Sequence, residues 1–153
     1  MEAAHDRRPG GGALLERISE MMFVDALRRH AERAPDDTGW LAGLRDRHVG
    51  RALALLHEDP GRDWSMELLA REAALSRSAF HERFTRFVGQ PPMHYLAQWR
   101  MQAAARLLRE SAAPVASIAR EVGYESEAAF TRAFKRAVGM PPAGWRRAQA
   151  ARP

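Results

Sequence analysis

The chain has 153 residues, no cysteine, 24 basic against 19 acidic side chains and a formal net charge of +5. That length holds one domain with an appended segment, and the missing thiols exclude disulfides, thiol catalysis and cysteine-ligated zinc. No apolar run is long enough to span a bilayer, and the opening residues lack the pattern of a signal peptide.

In chain order, residues 1–12 are polar and glycine-rich and are expected to be disordered. Residues 13–33 read as a helix with Leu14, Ile18, Met21, Met22, Asp25 and Ala26 spaced for an amphipathic face. Met21-Met22-Phe23-Val24 is apolar nearly all round, a surface that must face either the rest of this chain or a partner. Residues 35–39, PDDTG, break that helix, and Trp40 to Leu44 form a short hydrophobic anchor. A helix over 46–58 turns Val49, Leu53 and Leu56 inward and ends at Asp59-Pro60-Gly61. Trp64 and Leu69 flank an N-cap at Ser65 as a hydrophobic staple. Further helices are expected over 65–73, 77–88, 92–109, 115–122, 127–138 and 142–149. No run alternates as a strand does. The expected fold is all-α: two helix-turn-helix subdomains joined by a long connecting helix, with an extra N-terminal helix. The expected organisation is a segment at 13–45, a double helix-turn-helix domain at 46–148, and a disordered tail at 149–153.

The reason for a double motif is a repeat. Leu69-Ala70-Arg71-Glu72 is matched by Ile118-Ala119-Arg120-Glu121, and Phe80, Phe84, Arg86, Val88, Gly89 and Pro92 by Phe130, Phe134, Arg136, Val138, Gly139 and Pro142. The second copy carries one extra residue in its turn. Two copies are too few for a solenoid, and two equivalent surfaces suit a partner that is itself periodic, such as a DNA duplex. In each copy the second helix starts at a serine N-cap, Ser76 or Ser126. It buries a phenylalanine stripe at i and i+4 and stops at a C′ glycine, Gly89 or Gly139. Pro92 and Pro142 then open the next helix at N1, where a missing N–H is harmless. Residues 92–109 join the copies as one unbroken helix, with Leu96, Trp99, Ala103 or Ala104, Leu107 and Leu108 supplying faces to both.

Charge agrees with such a partner. Residues 1–45 carry seven Arg against eight acids, whereas residues 46–153 carry 17 Arg and Lys against 11 acids. A basic half attracts a polyanion, and phosphate neutralisation supplies affinity.

IAREVGYESEAAFTRAFKRAVGMPPAGWR resembles the signature of AraC/XylS-type transcription regulators through Ile118, Ala119, Val122, Gly123, Tyr124, Ser126, Phe130, Phe134, Lys135, Gly139 and Pro142. WSMELLAREAALSRSAFHERFTRFVGQPPMHYLAQWRMQAAARLL is similar to the first module and connecting helix of that family, so the likeness covers about residues 46–147. It implies a domain that sets two recognition helices into successive major-groove segments on one DNA face. It also implies an N-terminal sensing and dimerisation domain, of which residues 13–45 resemble the helical tail of the cupin type. The expectation is therefore a fragment of a longer regulator or a natural short form of one. Ala74 departs from the pattern, standing where the first turn usually has glycine, and Pro91 and Pro114 replace the usual capping serine or threonine.

The resemblance also implies which residues meet DNA. On the first recognition helix the positions off the phenylalanine stripe are Arg77, Ser78, His81, Glu82, Thr85 and Arg86; Ser78, His81 and Glu82 would face base edges. Glu82 either accepts from cytosine N4 or pairs with Arg86 on a solvated face. On the second helix they are Glu127, Ala128, Thr131 and Arg132, with Arg132 forked onto guanine and the Thr131 methyl on thymine. Lys135, Arg136, Arg83 and Arg86 are expected at phosphates or in solvent. Ser76 and Ser126 open helix N-termini whose N–H groups suit phosphate.

The six His lack metal-ligand spacing, His57 and His94 read as surface or helix-end residues, and no phosphate-binding glycine loop follows a strand. No catalytic, cofactor or metal residue is expected, so the reading is not an enzyme. The alternative is a protein-interaction or dimerisation module with only nonspecific DNA affinity. Expected partners are double-stranded DNA at a promoter or operator, RNA polymerase, and a second copy through the N-terminal helix or a missing domain. The isolated chain is expected to dimerise weakly and to answer to no small effector. The expected location is the bacterial cytoplasm, on the nucleoid and away from membranes.

Overall fold

The computed structural model describes residues 40–151. The expected helix at 13–33 and its break at 35–39 lie outside them. Eight helices stand in the described residues: α1 (Trp40–Arg45), α2 (Arg47–Glu58), α3 (Met66–Glu72), α4 (Arg77–Val88), α5 (Pro92–Glu110), α6 (Val115–Glu121), α7 (Glu127–Val138) and α8 (Pro142–Ala150). No strand occurs among these residues, so the all-α class and the two-module architecture hold.

Local chemistry explains the boundaries. Ser65, Ser76 and Ser126 each accept a hydrogen bond from a backbone N–H three residues on: Leu68 at 3.1 Å, Ala79 at 3.2 Å and Ala129 at 3.1 Å. Pro91 and Pro114 make no side-chain cap, as expected where proline replaces a hydroxyl residue, and neither does Pro141. The two motif turns share one hydrogen-bond pattern. Leu75 N–H donates to Ala70 O and Ala74 N–H to Arg71 O; Tyr124 N–H donates to Ala119 O and Gly123 N–H to Arg120 O. This is a Schellman closure, which requires a left-handed residue at C′. Gly123 supplies it at φ 88°, and Ala74 supplies it at φ 55°, against the preference of an L side chain.

Packing resolves into two cores. The first gathers Val49, Leu53, Leu56, Trp64, Leu69, Phe80, Phe84, Phe87 and Leu96; the second gathers Met101, Ala104, Leu108, Ile118, Val122, Phe130 and Phe134. Phe80, Phe84, Phe130 and Phe134 are all fully buried. The connector α5 gives its first half to one core and its second half to the other. Its 19 residues span about 28 Å at 1.5 Å per residue.

The anchor at Trp40 to Leu44 is itself helical, and α1 packs on α2 and α4. Gly43 is buried beside Phe87: a Cβ there would lie 3.1 Å from Phe87 Cβ. Phe87 is buried, whereas its counterpart Ala137 is exposed. The compact unit that holds both modules starts at Thr38.

Asp46 ties α2 to the first recognition helix. Its Oδ1 accepts from His48 N and Val49 N, both at 3.0 Å, capping α2. Its Oδ2 accepts from Arg83 Nε at 2.9 Å and also from Arg83 Nη2. Chiefly through the Arg83 hydrogen bond, the carboxyl pKa falls to about 2 from 3.8. A depressed folded-state pKa stabilises the fold above pH 4 and loses that stabilisation as pH falls through 4 toward 2. Asp46→Asn is therefore expected to cost about 1–2 kcal/mol at pH 7. Denaturant titrations of both proteins across pH should converge near pH 2; a gap that persists there would contradict the ion pair's role.

Candidate nucleic-acid interface

The buried phenylalanines orient each second helix and decide which side chains face out. With Phe80 and Phe84 inward, α4 exposes Arg77, Ser78, His81, Glu82 and Arg86. Thr85 is half-buried. With Phe130 and Phe134 inward, α7 exposes Glu127, Ala128, Arg132, Lys135 and Arg136 and leaves Thr131 half-buried. Every residue assigned to the interface from sequence thus reaches solvent on one of these two helices.

On α4 those residues divide between two shallow hollows. Arg77, Ser78 and His81 line one of about 500 Å³ with Met66 of α3. Glu82 and Arg86 line another of about 230 Å³ with Leu75, Ala79 and Arg83. Arg77 Nη1 stands 2.9 Å from Glu67 Oε1, with both side chains largely in solvent, so the pair holds it only weakly. No ion pair joins Glu82 to Arg86 among the described residues. The Arg86 guanidinium lies 4.9 Å from the Phe87 ring centroid, and Glu82 keeps its acceptors toward solvent.

Arg83 corrects an expectation. Read as a phosphate or solvent residue, it donates to the Asp46 carboxylate instead, and that hydrogen bond raises its pKa. Its counterpart is Ala133, so this clamp belongs to the first module alone. His57 is a helix-end residue, as expected, and it is also packed against aromatic neighbours. It is half-buried at the end of α2, 2.5 Å from the Tyr95 hydroxyl and stacked on Trp99 at 4.1 Å between centroids. Burial lowers its pKa, favouring the neutral ring. His94 is exposed as expected and bonds Gln90 at 2.8 Å.

The two faces share a backbone and differ in chemistry. At equivalent positions Arg77 meets Glu127, Ser78 meets Ala128, His81 meets Thr131 and Glu82 meets Arg132. Charge reverses at the first and last of these positions, so the two helices cannot favour the same chemical edges. Arg86 and Arg136 match, and both lie on the last turn of their helices.

Residues 69–148 match the model of a helix-turn-helix domain family. The chain is 51% identical over 142 residues to a Streptomyces lividans protein assigned as an AraC-like transcription regulator, covering 92% of this chain and 47% of that one. The chain belongs to the AraC-type helix-turn-helix family. Another relative, the HTH-type transcriptional regulator AlkR of Acinetobacter baylyi, is 34% identical over 139 residues, or 91% of this chain and 45% of AlkR. The chain thus spans under half the length of these relatives. Among solved structures, the AraC-type fold aligns with the DNA-binding domain of AdpA in complex with a target DNA, at a TM-score of 0.66 and 32% identity. That alignment covers 69% of this chain and 95% of the AdpA domain. The C-terminal domain of AraT from Geobacillus stearothermophilus aligns at a TM-score of 0.63 and 30% identity, covering 66% and 84%.

Proposed function

We propose that this chain is the DNA-binding part of a sequence-specific transcription regulator and reads two successive major-groove segments, one with α4 and one with α7. The observation that carries this reading is the pair of solvent-facing polar helix faces mounted on one continuous connector. At about 28 Å, α5 is close to the roughly 34 Å of one duplex turn. The excess of basic side chains after residue 45 and the alignment with the DNA-bound AdpA domain support it.

Within that reading Ser78, His81 and Glu82 meet bases from α4, and Glu127, Ala128, Thr131 and Arg132 from α7. Arg77, Arg86, Lys135 and Arg136 meet phosphates or flank them, beside the N–H groups opened by Ser76 and Ser126. Contact with RNA polymerase, pairing of two copies through the segment at 13–33 or a further domain, and residence on the bacterial nucleoid belong to the same proposal. No helix among the described residues is long and apolar enough to cross a membrane.

Selection from a random DNA pool, followed by footprinting of the winning site, tests the proposal. The expected protection covers two segments on one face of the duplex. Enrichment of no sequence would leave only nonspecific affinity and favour an interaction module. Arg132 and Arg136 should then separate. Arg132→Ala is expected to cost about 1–3 kcal/mol on the best site and to relax preference at one base position. Arg136→Ala should weaken all sequences alike and lower the salt slope by about one unit. Affinities for single-base variants at two salt concentrations distinguish them. A uniform loss for Arg132→Ala would make that residue a phosphate clamp.

A further inference from the structure

The shared connector would leave the modules free to rock if it were their only bond, because each core grips a different half of α5. A second point of contact exists. The loop between α2 and α3 belongs to the first module: Trp64 is buried in its core, and Trp64 Nε1 donates to Asp59 O at 2.8 Å. The loop is internally braced, with Arg62 N donating to Asp59 Oδ1 at 3.1 Å and the Arg62 guanidinium 4.4 Å from the Trp64 ring centroid. It then meets the second module at Gly61. A Cβ there would fall 2.1 Å from the carbonyl oxygen of Glu121, at the end of α6.

Arg100, midway along α5, completes the contact. Its Nε donates to Pro60 O at 2.8 Å and its Nη2 to Arg62 O at 3.0 Å, holding the loop of the first module. On the other side the guanidinium lies 6.0 Å from the Tyr124 ring centroid and presses on Gly123, where a Cβ would come within 2.7 Å of Arg100 Cζ. One half-buried side chain thus touches the turn of the second motif and the loop of the first. Asp59 and Asp63 place negative charge near it.

We infer that Arg100, Gly61, Gly123 and Tyr124 form a junction that fixes the distance and rotational phase between α4 and α7, and so sets which spacing of the two DNA segments the chain accepts. This rests on the DNA-binding reading above. Each inserted base pair moves one segment by about 3.4 Å and turns it by about 34°. A two-point mount resists both displacements, and a single flexible helix contact tolerates them.

The test uses the selected site and versions with one or two base pairs added or removed between its segments. Arg100→Ala removes the bridge. Gly61→Ala attacks the junction from the loop. Its φ lies outside the left-handed region, so alanine is locally unstrained and the nearest obstacle is the Glu121 carbonyl. The parent chain is expected to lose about tenfold or more in affinity per base pair of altered spacing, against about threefold or less in both variants. Binding to either segment alone should be unchanged, and Arg100→Lys should restore part of the discrimination. Circular dichroism and thermal melting confirm that each variant folds; if Arg100→Ala does not, Gly61→Ala decides. Spacing discrimination as steep in a folded variant as in the parent overturns this inference alone. A parent chain that selects no sequence overturns the DNA-binding reading and this inference with it.

Discussion

Phe84→Ala and Phe134→Ala should each lower stability by about 3–5 kcal/mol. Both side chains are fully buried. Phe84 lies 5.6 Å from Phe80 and 5.7 Å from Tyr95 between ring centroids; Phe134 lies 5.6 Å from Phe130 and 6.3 Å from Trp145. Removing either ring forfeits its transfer free energy and leaves a cavity that two flanking aromatics cannot collapse into without leaving their own rotamers. Tryptophan fluorescence during urea titration can locate the damage. Trp64 and Trp99 report on the first core, and Trp145 on the second. The Phe84 variant should shift the first signal most and the Phe134 variant the second. Midpoints equal to the parent's in both would contradict the assignment of the two cores.

The motif turns offer a paired test of backbone strain. Gly123→Ala is expected to cost about 2–3 kcal/mol. A left-handed alanine costs roughly 1–2 kcal/mol, and the new Cβ would also push Arg100 off its carbonyl partners. The narrower unfolded ensemble of alanine returns only about 0.4–1 kcal/mol. Ala74→Gly runs the other way. It relieves the same strain at an exposed position, so the net gain is smaller, about 0.5–1 kcal/mol. Both changes are read by denaturant titration. A neutral Gly123→Ala would mean that the turn relaxes away from its left-handed geometry.

What the sequence disclosed and what it hid follow from the range of the interactions. The helices, their serine caps and their glycine stops are local signals, and helices expected at 77–88 and 127–138 appear with those limits. Phe80, Phe84, Phe130 and Phe134 were readable because burial recurs at one turn's spacing and the repeat shows it twice. The outward positions followed from the inward ones. The pairing of Asp46 with Arg83 leaves no trace in the sequence, because 37 residues separate them and no period links them. The same holds for Arg100 and Pro60, 40 residues apart. Phe87 sits off the stripe, and the only sign of its role was a mismatch with Ala137. His57 is legible as a helix-end residue, but its partners Tyr95 and Trp99, on another helix, are not.

The contact between Gly43 and Phe87 has a practical side for anyone moving this domain into another protein. A graft cut at Asp46, where the motif likeness starts, would leave an aromatic ring facing water on the first recognition helix, an adhesive spot that invites aggregation. The second module needs no such cover, because Ala137 presents only a methyl group there. A portable unit should therefore start no later than Trp40, and a shorter one would need Phe87→Ala to shrink the uncovered apolar surface to a methyl group.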